Sequence, residues 1–133
     1  MSGKKTEAEK NGIDFVCGFA YPECKNADPF DISIILNNIL DNGICAAAEC
    51  ENPYLKITSG MRKNAFLITC ENSFCGELKF TVNGLPETQK SDSENHGFGL
   101  ENVRTIAEKY NGGIDISAEN GRFIINVMLI VQT

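Results

Sequence analysis

The chain has 133 residues and a formal net charge of −6, with 42% hydrophobic and 23% charged residues. This length suits one domain with a single core, and the composition is ordinary for a globular protein. The acidic balance argues against a general nucleic-acid surface or an anionic-membrane surface. No apolar run approaches the roughly 18–20 residues needed to cross a bilayer, so we expect no membrane insertion of this segment.

Six cysteines are scattered through apolar segments and form no compact framework: Cys17, Cys24, Cys45, Cys50, Cys70 and Cys75. There is no CxxC pair, and His96 is the only histidine. This pattern is typical of reduced thiols in the cytosol and disfavours a zinc site.

Residues 1–12 are polar, and we expect either a flexible tail or the stub of an upstream dimerisation helix, followed by a single domain over 13–133. A strand is predicted at 13–19. Asp28 and Pro29 are the residue types that begin a helix, and an apolar stripe at three- and four-residue steps extends that helix to about residue 50.

The remaining predicted elements, in chain order, are strands at 54–61 and 65–73 around a turn at 62–64, a short strand at 78–82, a polar loop at 85–95, a helix at 99–110, and strands at 114–118 and 122–131 joined by a turn at 120–121. This order predicts an α/β two-layer sandwich. Its sheet is mixed but mostly antiparallel, and its helices pack on one face.

The first predicted helix carries an unusual polar cluster. Asn38 and Asn42 are four residues apart and therefore share a face, and their amide oxygens suit a hard cation such as Mg²⁺. Asparagine is a mediocre helix former, so its enrichment here needs a reason. The alternative is that these side chains simply face water.

A second motif is Gly97-Phe98-Gly99-Leu100, which follows the polar loop and is expected to open the second helix. Glycines at a helix start let backbone N–H groups approach a phosphate closely. The alternative is that the glycines only close a loop. The motif is not the dinucleotide-binding fingerprint, because it does not follow a strand and lacks a third glycine.

Together the two motifs resemble the GHKL family, the ATP-binding domain shared by gyrase B, the Hsp90 chaperones, sensor histidine kinases and MutL, which has the Bergerat fold. Asn38 and Asn42 match the asparagines of the family's N-box. Residues 72–76 match its adenine box, with Asn72 in place of the acid and Phe74 in place of the first glycine. Residues 97–100 match the glycine box, and 85–95 the ATP lid. Within the family, the chain is most similar to sensor kinases of Gram-positive peptide quorum sensing.

The resemblance implies an ATP site formed by Asn38, Asn42, Asn72, Gly76, Lys90, His96, Gly97, Phe98, Gly99 and Leu100. It makes Asn42 the protein ligand to Mg²⁺ and Asn72 the reader of adenine, through an amide that can accept the amino proton. His96 belongs to the nucleotide box, which leaves the phosphoacceptor histidine outside this chain.

The implied function is that of the catalytic ATP-binding domain of a two-component sensor histidine kinase, with ATP and Mg²⁺ as cofactors. Its expected partners are the dimerisation and phosphoacceptor helices of the same kinase and a downstream response regulator. The expected location is the cytoplasmic side of a membrane-anchored bacterial sensor. Two alternatives stay open: a degenerate nucleotide-binding scaffold without phosphoryl transfer, and an anti-sigma-type serine kinase of the same fold.

Overall fold

The structure, a computed structural model, describes residues 2–22, 26–75 and 93–132. Its elements in chain order are α1 (Ser2–Lys10), β1 (Asp14–Gly18), α2 (Pro29–Ala47), β2 (Tyr54–Arg62), β3 (Ala65–Ser73), α3 (Ser93–Lys109), β4 (Gly113–Glu119) and β5 (Arg122–Ile130). No helix among these residues is long and apolar enough to cross a membrane.

Five strands form one sheet in the order β1-β2-β3-β5-β4. The pairing of β1 with β2 is parallel, and the three other pairings are antiparallel. Side chains alternate between the faces of a strand, so one face of β3 and β5 is buried while the other is partly exposed. The predicted mixed, mostly antiparallel sheet with packed helices is confirmed.

Helix α2 begins where the sequence predicts. The carboxylate of Asp28 accepts a hydrogen bond from the backbone N–H of Phe30 at 2.9 Å, and Pro29 occupies the first turn. The apolar stripe of α2 is buried against the sheet and consists of Ile32, Ile35, Leu36, Ile39, Leu40 and Ile44. This packing places the polar Asn38 and Asn42 beside the stripe, where both are half-buried.

The start of α2 is tied to the end of α3 by a buried polar contact. The Asp31 carboxylate accepts hydrogen bonds from the Tyr110 hydroxyl at 2.6 Å and from the Lys109 ammonium at 2.9 Å. The Tyr110 hydroxyl in turn accepts from the backbone N–H of Asp28 at 3.0 Å. These contacts, led by the Tyr110 hydrogen bond, lower the pKa of Asp31.

The end of α3 meets strand β5 at very short range. Asn111 adopts a left-handed conformation with φ 60° and ends the helix. A Cβ on Gly112 would lie 1.7 Å from the backbone oxygen of Met128, so only glycine fits this position. The close contact sets α3 against the sheet.

The first residues form α1, whose Ala8 is fully buried, and the Lys4 ammonium pairs with the Asp41 carboxylate of α2. Whether α1 continues an upstream dimerisation helix stays a prediction, as does the division into residues 1–12 and 13–133. The predicted strand at 78–82 and the part of the predicted lid over 85–92 lie outside the described residues.

One helix boundary was predicted wrongly. Helix α3 begins at Ser93, before both glycines of the Gly97-Phe98-Gly99 motif, whereas the sequence predicted a start at about Gly99. Ser93 and Glu94 are residue types favoured in the first turn of a helix. The glycines therefore do not open the helix in this structure, and their role needs another explanation. Helix α2 also ends at Ala47, slightly earlier than expected.

Candidate functional site

The asparagine face of α2 is partly anchored to its own helix. The Asn38 amide nitrogen donates a hydrogen bond to the backbone oxygen of Ile34 at 2.9 Å. Such a bond back to the preceding turn holds the amide in one orientation. Asn42 lies one helical turn further along the same face and is half-buried.

Gly99 brings α3 against this face. A Cβ built on Gly99 would lie 2.9 Å from Oδ1 of Asn38 and 3.4 Å from its Cγ. Gly99 is buried, so the missing side chain lets the two helices approach at Asn38. The structure therefore brings the two sequence motifs into contact, although the glycine acts inside the helix and not at its start.

Asn72 supplies the least ordinary polar group among the described residues. It lies on the helix-covered face of β3 and is only 1% exposed. Its amide nitrogen donates to the backbone oxygen of Ser73 at 2.7 Å, while its Oδ1 is buried without a hydrogen-bond partner. Because a carbonyl can only accept, the Ser73 contact dictates which end of the amide stays unpaired.

Leaving a buried acceptor unpaired costs about 1–3 kcal/mol. Native structures contain few such groups, and each one calls for an explanation such as strain, a functional role, or a bound water or ion. The free Oδ1 of Asn72 is therefore suited to a donor from outside the chain, such as an exocyclic amino group.

Gly43 connects Asn72 with the asparagine helix, a contact that the sequence did not reveal. It is buried on α2, directly after Asn42. A Cβ on Gly43 would lie 2.6 Å from Cδ1 of Leu55 and 3.4 Å from Oδ1 of Asn72. The available signal in the sequence was the position of this glycine within the apolar stripe of a helix, where glycine is normally unfavourable.

The structure describes only some of the other predicted site residues. Leu100 is 3% exposed, so its side chain belongs to the core. His96, Gly97 and Phe98 fall within the bounds of α3, but their side chains lie outside the described part of the structure. Gly76 and Lys90 lie outside the described residues altogether. Their assignment to an ATP site stays a prediction.

Within residues 2–22, 26–75 and 93–132, no group of three or more His, Cys, Asp or Glu side chains could hold a metal ion. Asn38 and Asn42 offer amide oxygens on α2, and Mg²⁺ commonly combines one or two protein oxygens with substrate phosphates and water. The amide oxygen of the half-buried Asn42 is a donor of the kind that such a site uses, and its role as a metal ligand stays a prediction.

The same architecture occurs in histidine kinase catalytic domains of known structure. The catalytic domain of the histidine kinase ThkA superimposes with a TM-score of 0.75 at 23% identity, covering 96% of this chain and 85% of that one. The histidine kinase AdeS of Acinetobacter baumannii gives 0.71 at 16% identity, covering 99% of this chain and 61% of AdeS. The mycobacterial sensor histidine kinase MprB gives 0.68 at 12% identity, covering 98% and 93%. At these identities the likeness establishes the fold.

The family is established by the sequence itself. Residues 27–130 match the model of the GHKL domain, so the chain belongs to the GHKL domain family. This range includes α2, both asparagines of its polar face, Asn72 and the glycine motif. A comparison with curated proteins found no match.

Proposed function

We propose that this chain is the catalytic ATP-binding domain of a two-component sensor histidine kinase. In this proposal it binds ATP with Mg²⁺ and presents the γ-phosphate to a histidine on a separate dimerisation helix of the same kinase. A response regulator acts downstream, the domain lies on the cytoplasmic side of a membrane-anchored bacterial sensor, and the sensor belongs to the peptide quorum-sensing branch.

The observation that carries the proposal is the unpaired Oδ1 of Asn72, which is packed against Gly43 of α2, the helix that also carries Asn38 and Asn42. The amino group of adenine is a donor of the kind this acceptor lacks. Because Gly43 has no side chain, no methyl group of α2 contacts the Asn72 acceptor. Gly43 also directly follows Asn42, the proposed metal ligand. In this proposal the base and the metal are bound near the same turn of α2.

When bound, Mg-ATP supplies the transferable phosphoryl group and a metal charge that offsets the charge developing on it. Asn42 would hold the metal and Asn38 would face the phosphates. The Ser73 carbonyl keeps the Asn72 amide in its accepting orientation. The protein's contribution is positioning, as is usual for phosphoryl transfer. The Asn38 amide, unlike a carboxylate, cannot act as a base that activates water. This favours phosphoryl transfer over ATP hydrolysis.

Calorimetric titration with Mg-ATP tests nucleotide binding. We expect a dissociation constant between about 10 μM and about 1 mM, because a neutral acceptor binds more weakly than a carboxylate. Inosine triphosphate carries a carbonyl where adenine carries the amino group, so it should bind at least tenfold more weakly than ATP. Equal affinity for the two nucleotides would contradict the role of Asn72.

The metal assignment is tested with Asn42→Ala, which should abolish the Mg²⁺-dependent part of binding. Asn37→Ala is the matched control, since Asn37 lies on the same helix but is exposed. Loss of binding in both variants, or in neither, would place the metal elsewhere.

Phosphoryl transfer is tested by incubating the chain with γ-labelled ATP and a separately supplied dimerisation domain. We expect acid-labile label on the histidine of that domain and none on this chain. Acid-stable label on serine would indicate the anti-sigma-type kinase, and ATP binding without transfer would indicate the degenerate scaffold. Label on His96 would contradict its place in the nucleotide box.

A further inference from the structure

Two cysteines that are distant in sequence meet at one edge of the molecule. Cys50 follows the end of α2, and Cys75 follows the end of β3 by two residues. The Cys75 thiol lies 3.4 Å from the backbone oxygen of Glu49 and donates to it. That oxygen belongs to the peptide unit that joins Glu49 to Cys50, so the thiol of Cys75 lies directly against the backbone of Cys50.

The side chains of this pair also meet. Cys50 and Cys75 share a hydrogen bond, which is the main reason that the pKa of Cys75 is raised. The Cys50 thiol lies 3.8 Å from the backbone oxygen of Ala46. A disulfide requires two backbones that lie close together, and the contact of the Cys75 thiol with the peptide unit of Glu49 and Cys50 meets that requirement.

Access distinguishes this pair from the buried cysteine of the core. Cys75 is exposed and Cys50 is half-buried, so a small molecule in solution can reach them. Cys70 is 1% exposed, and burial raises its pKa to about 12, so it is inert by comparison. None of the five cysteines in the described ranges forms a disulfide in this structure.

We propose that Cys50 and Cys75 are a dithiol site that a low-molecular-weight disulfide converts reversibly into an intramolecular disulfide. The thiolate of one cysteine attacks the small disulfide, forms a mixed disulfide and releases one small thiol. The second cysteine loses its proton to solvent, attacks the protein sulfur of the mixed disulfide and releases the second small thiol. Two protein thiols are oxidised, and one small disulfide is reduced to two thiols.

The bond would fasten the end of α2 to the segment that leaves β3. Asn72 lies three positions before Cys75, so the modification would sit at the border of the candidate nucleotide site. The proposal does not depend on nucleotide binding, and its test requires none. A cross-link between these elements restricts the unfolded chain, so the oxidised form should resist denaturant better than the reduced form.

The test equilibrates the dilute chain with oxidised and reduced glutathione at several ratios, quenches it with acid and maps its peptides without reduction. We expect one dominant cross-linked peptide joining Cys50 to Cys75, an intact mass lower by two hydrogen atoms, and a higher urea midpoint than in the reduced chain. Dithiothreitol should reverse all three changes. Repeating the oxidation in denaturing urea should scatter the pairing over other cysteines, because native proximity is then lost.

Serine variants supply the matched controls. Cys50→Ser and Cys75→Ser should each eliminate the cross-link and the shift in midpoint, while Cys17→Ser, at an exposed position on β1, should retain both. Circular dichroism of the reduced variants checks that each is folded. Separate glutathione adducts without a cross-link, or dominant pairing of either cysteine with any other, would overturn the proposal.

Discussion

The contact between Gly99 and Asn38 makes a quantitative prediction about the meeting of α2 and α3. Alanine is favoured over glycine in a helix interior by about 1 kcal/mol, so Gly99→Ala should stabilise α3 if nothing opposes it. The new Cβ would lie 2.9 Å from Oδ1 of Asn38, which forces that side chain to move. The movement breaks the hydrogen bond from Asn38 to Ile34, which contributes about 0.5–1.5 kcal/mol.

The two effects nearly cancel in the parent chain. We therefore expect Gly99→Ala to change the free energy of unfolding by less than about 0.5 kcal/mol. In an Asn38→Ala background there is no Asn38 hydrogen bond to break, so Gly99→Ala should raise the free energy of unfolding by about 1 kcal/mol. The expected coupling between the two positions is about 1 kcal/mol, within the range found for residues in contact.

Urea unfolding of the four chains in this cycle measures the coupling, with two-state analysis suited to a single small domain. Gly3→Ala is the control, because Gly3 also lies in a helix but has no atom within 4 Å of an added Cβ. Its effect should be the same in both backgrounds. If Gly99→Ala also has the same effect in both backgrounds, the two helices do not meet at Asn38 as described.

Three further predictions concern the contacts that hold the end of α3 against β5 and against α2. Gly112→Ala should destabilise by about 3 kcal/mol because its Cβ meets the Met128 backbone oxygen, whereas Gly113→Ala, with open space around it, should stay within about 0.5 kcal/mol of the parent in urea unfolding. Tyr110→Phe should cost about 1.5–3 kcal/mol in the same assay, since it removes a hydrogen bond to a carboxylate; an unchanged midpoint would contradict that contact. The contacts that lower the pKa of Asp31 stabilise the fold above the ordinary pKa of aspartate, and this stabilisation is lost as pH falls through the folded-state pKa. Asp31→Asn should therefore make the free energy of unfolding less dependent on pH in the acid range. An unaltered slope would refute this.

Much of the fold could be predicted from local chemistry. Asp28 and Pro29 set the start of α2 because capping depends only on neighbouring residues. The strand at Ala65–Ser73 has the predicted bounds, since an apolar, β-branched run is a local signal. The turn predicted at Asn120 and Gly121 joins β4 to β5, and both residues have the positive φ that a two-residue hairpin turn favours. The start of α3 was missed because glycines discourage a helix by local propensity, whereas here Gly99 is retained within α3 for its packing against Asn38.

For the candidate site, the sequence by itself determined which residue types are available: two asparagines one turn apart, a third asparagine at the end of a strand, and a glycine motif. It also determined the GHKL family, because residues 27–130 carry the family pattern. Only the tertiary structure decided that Asn72 presents a buried acceptor without a partner and that Gly43 makes room beside it. The reason is physical: helix and strand signals arise among neighbours along the chain, whereas the pairing of a polar atom and the space around a glycine depend on residues that only folding brings together.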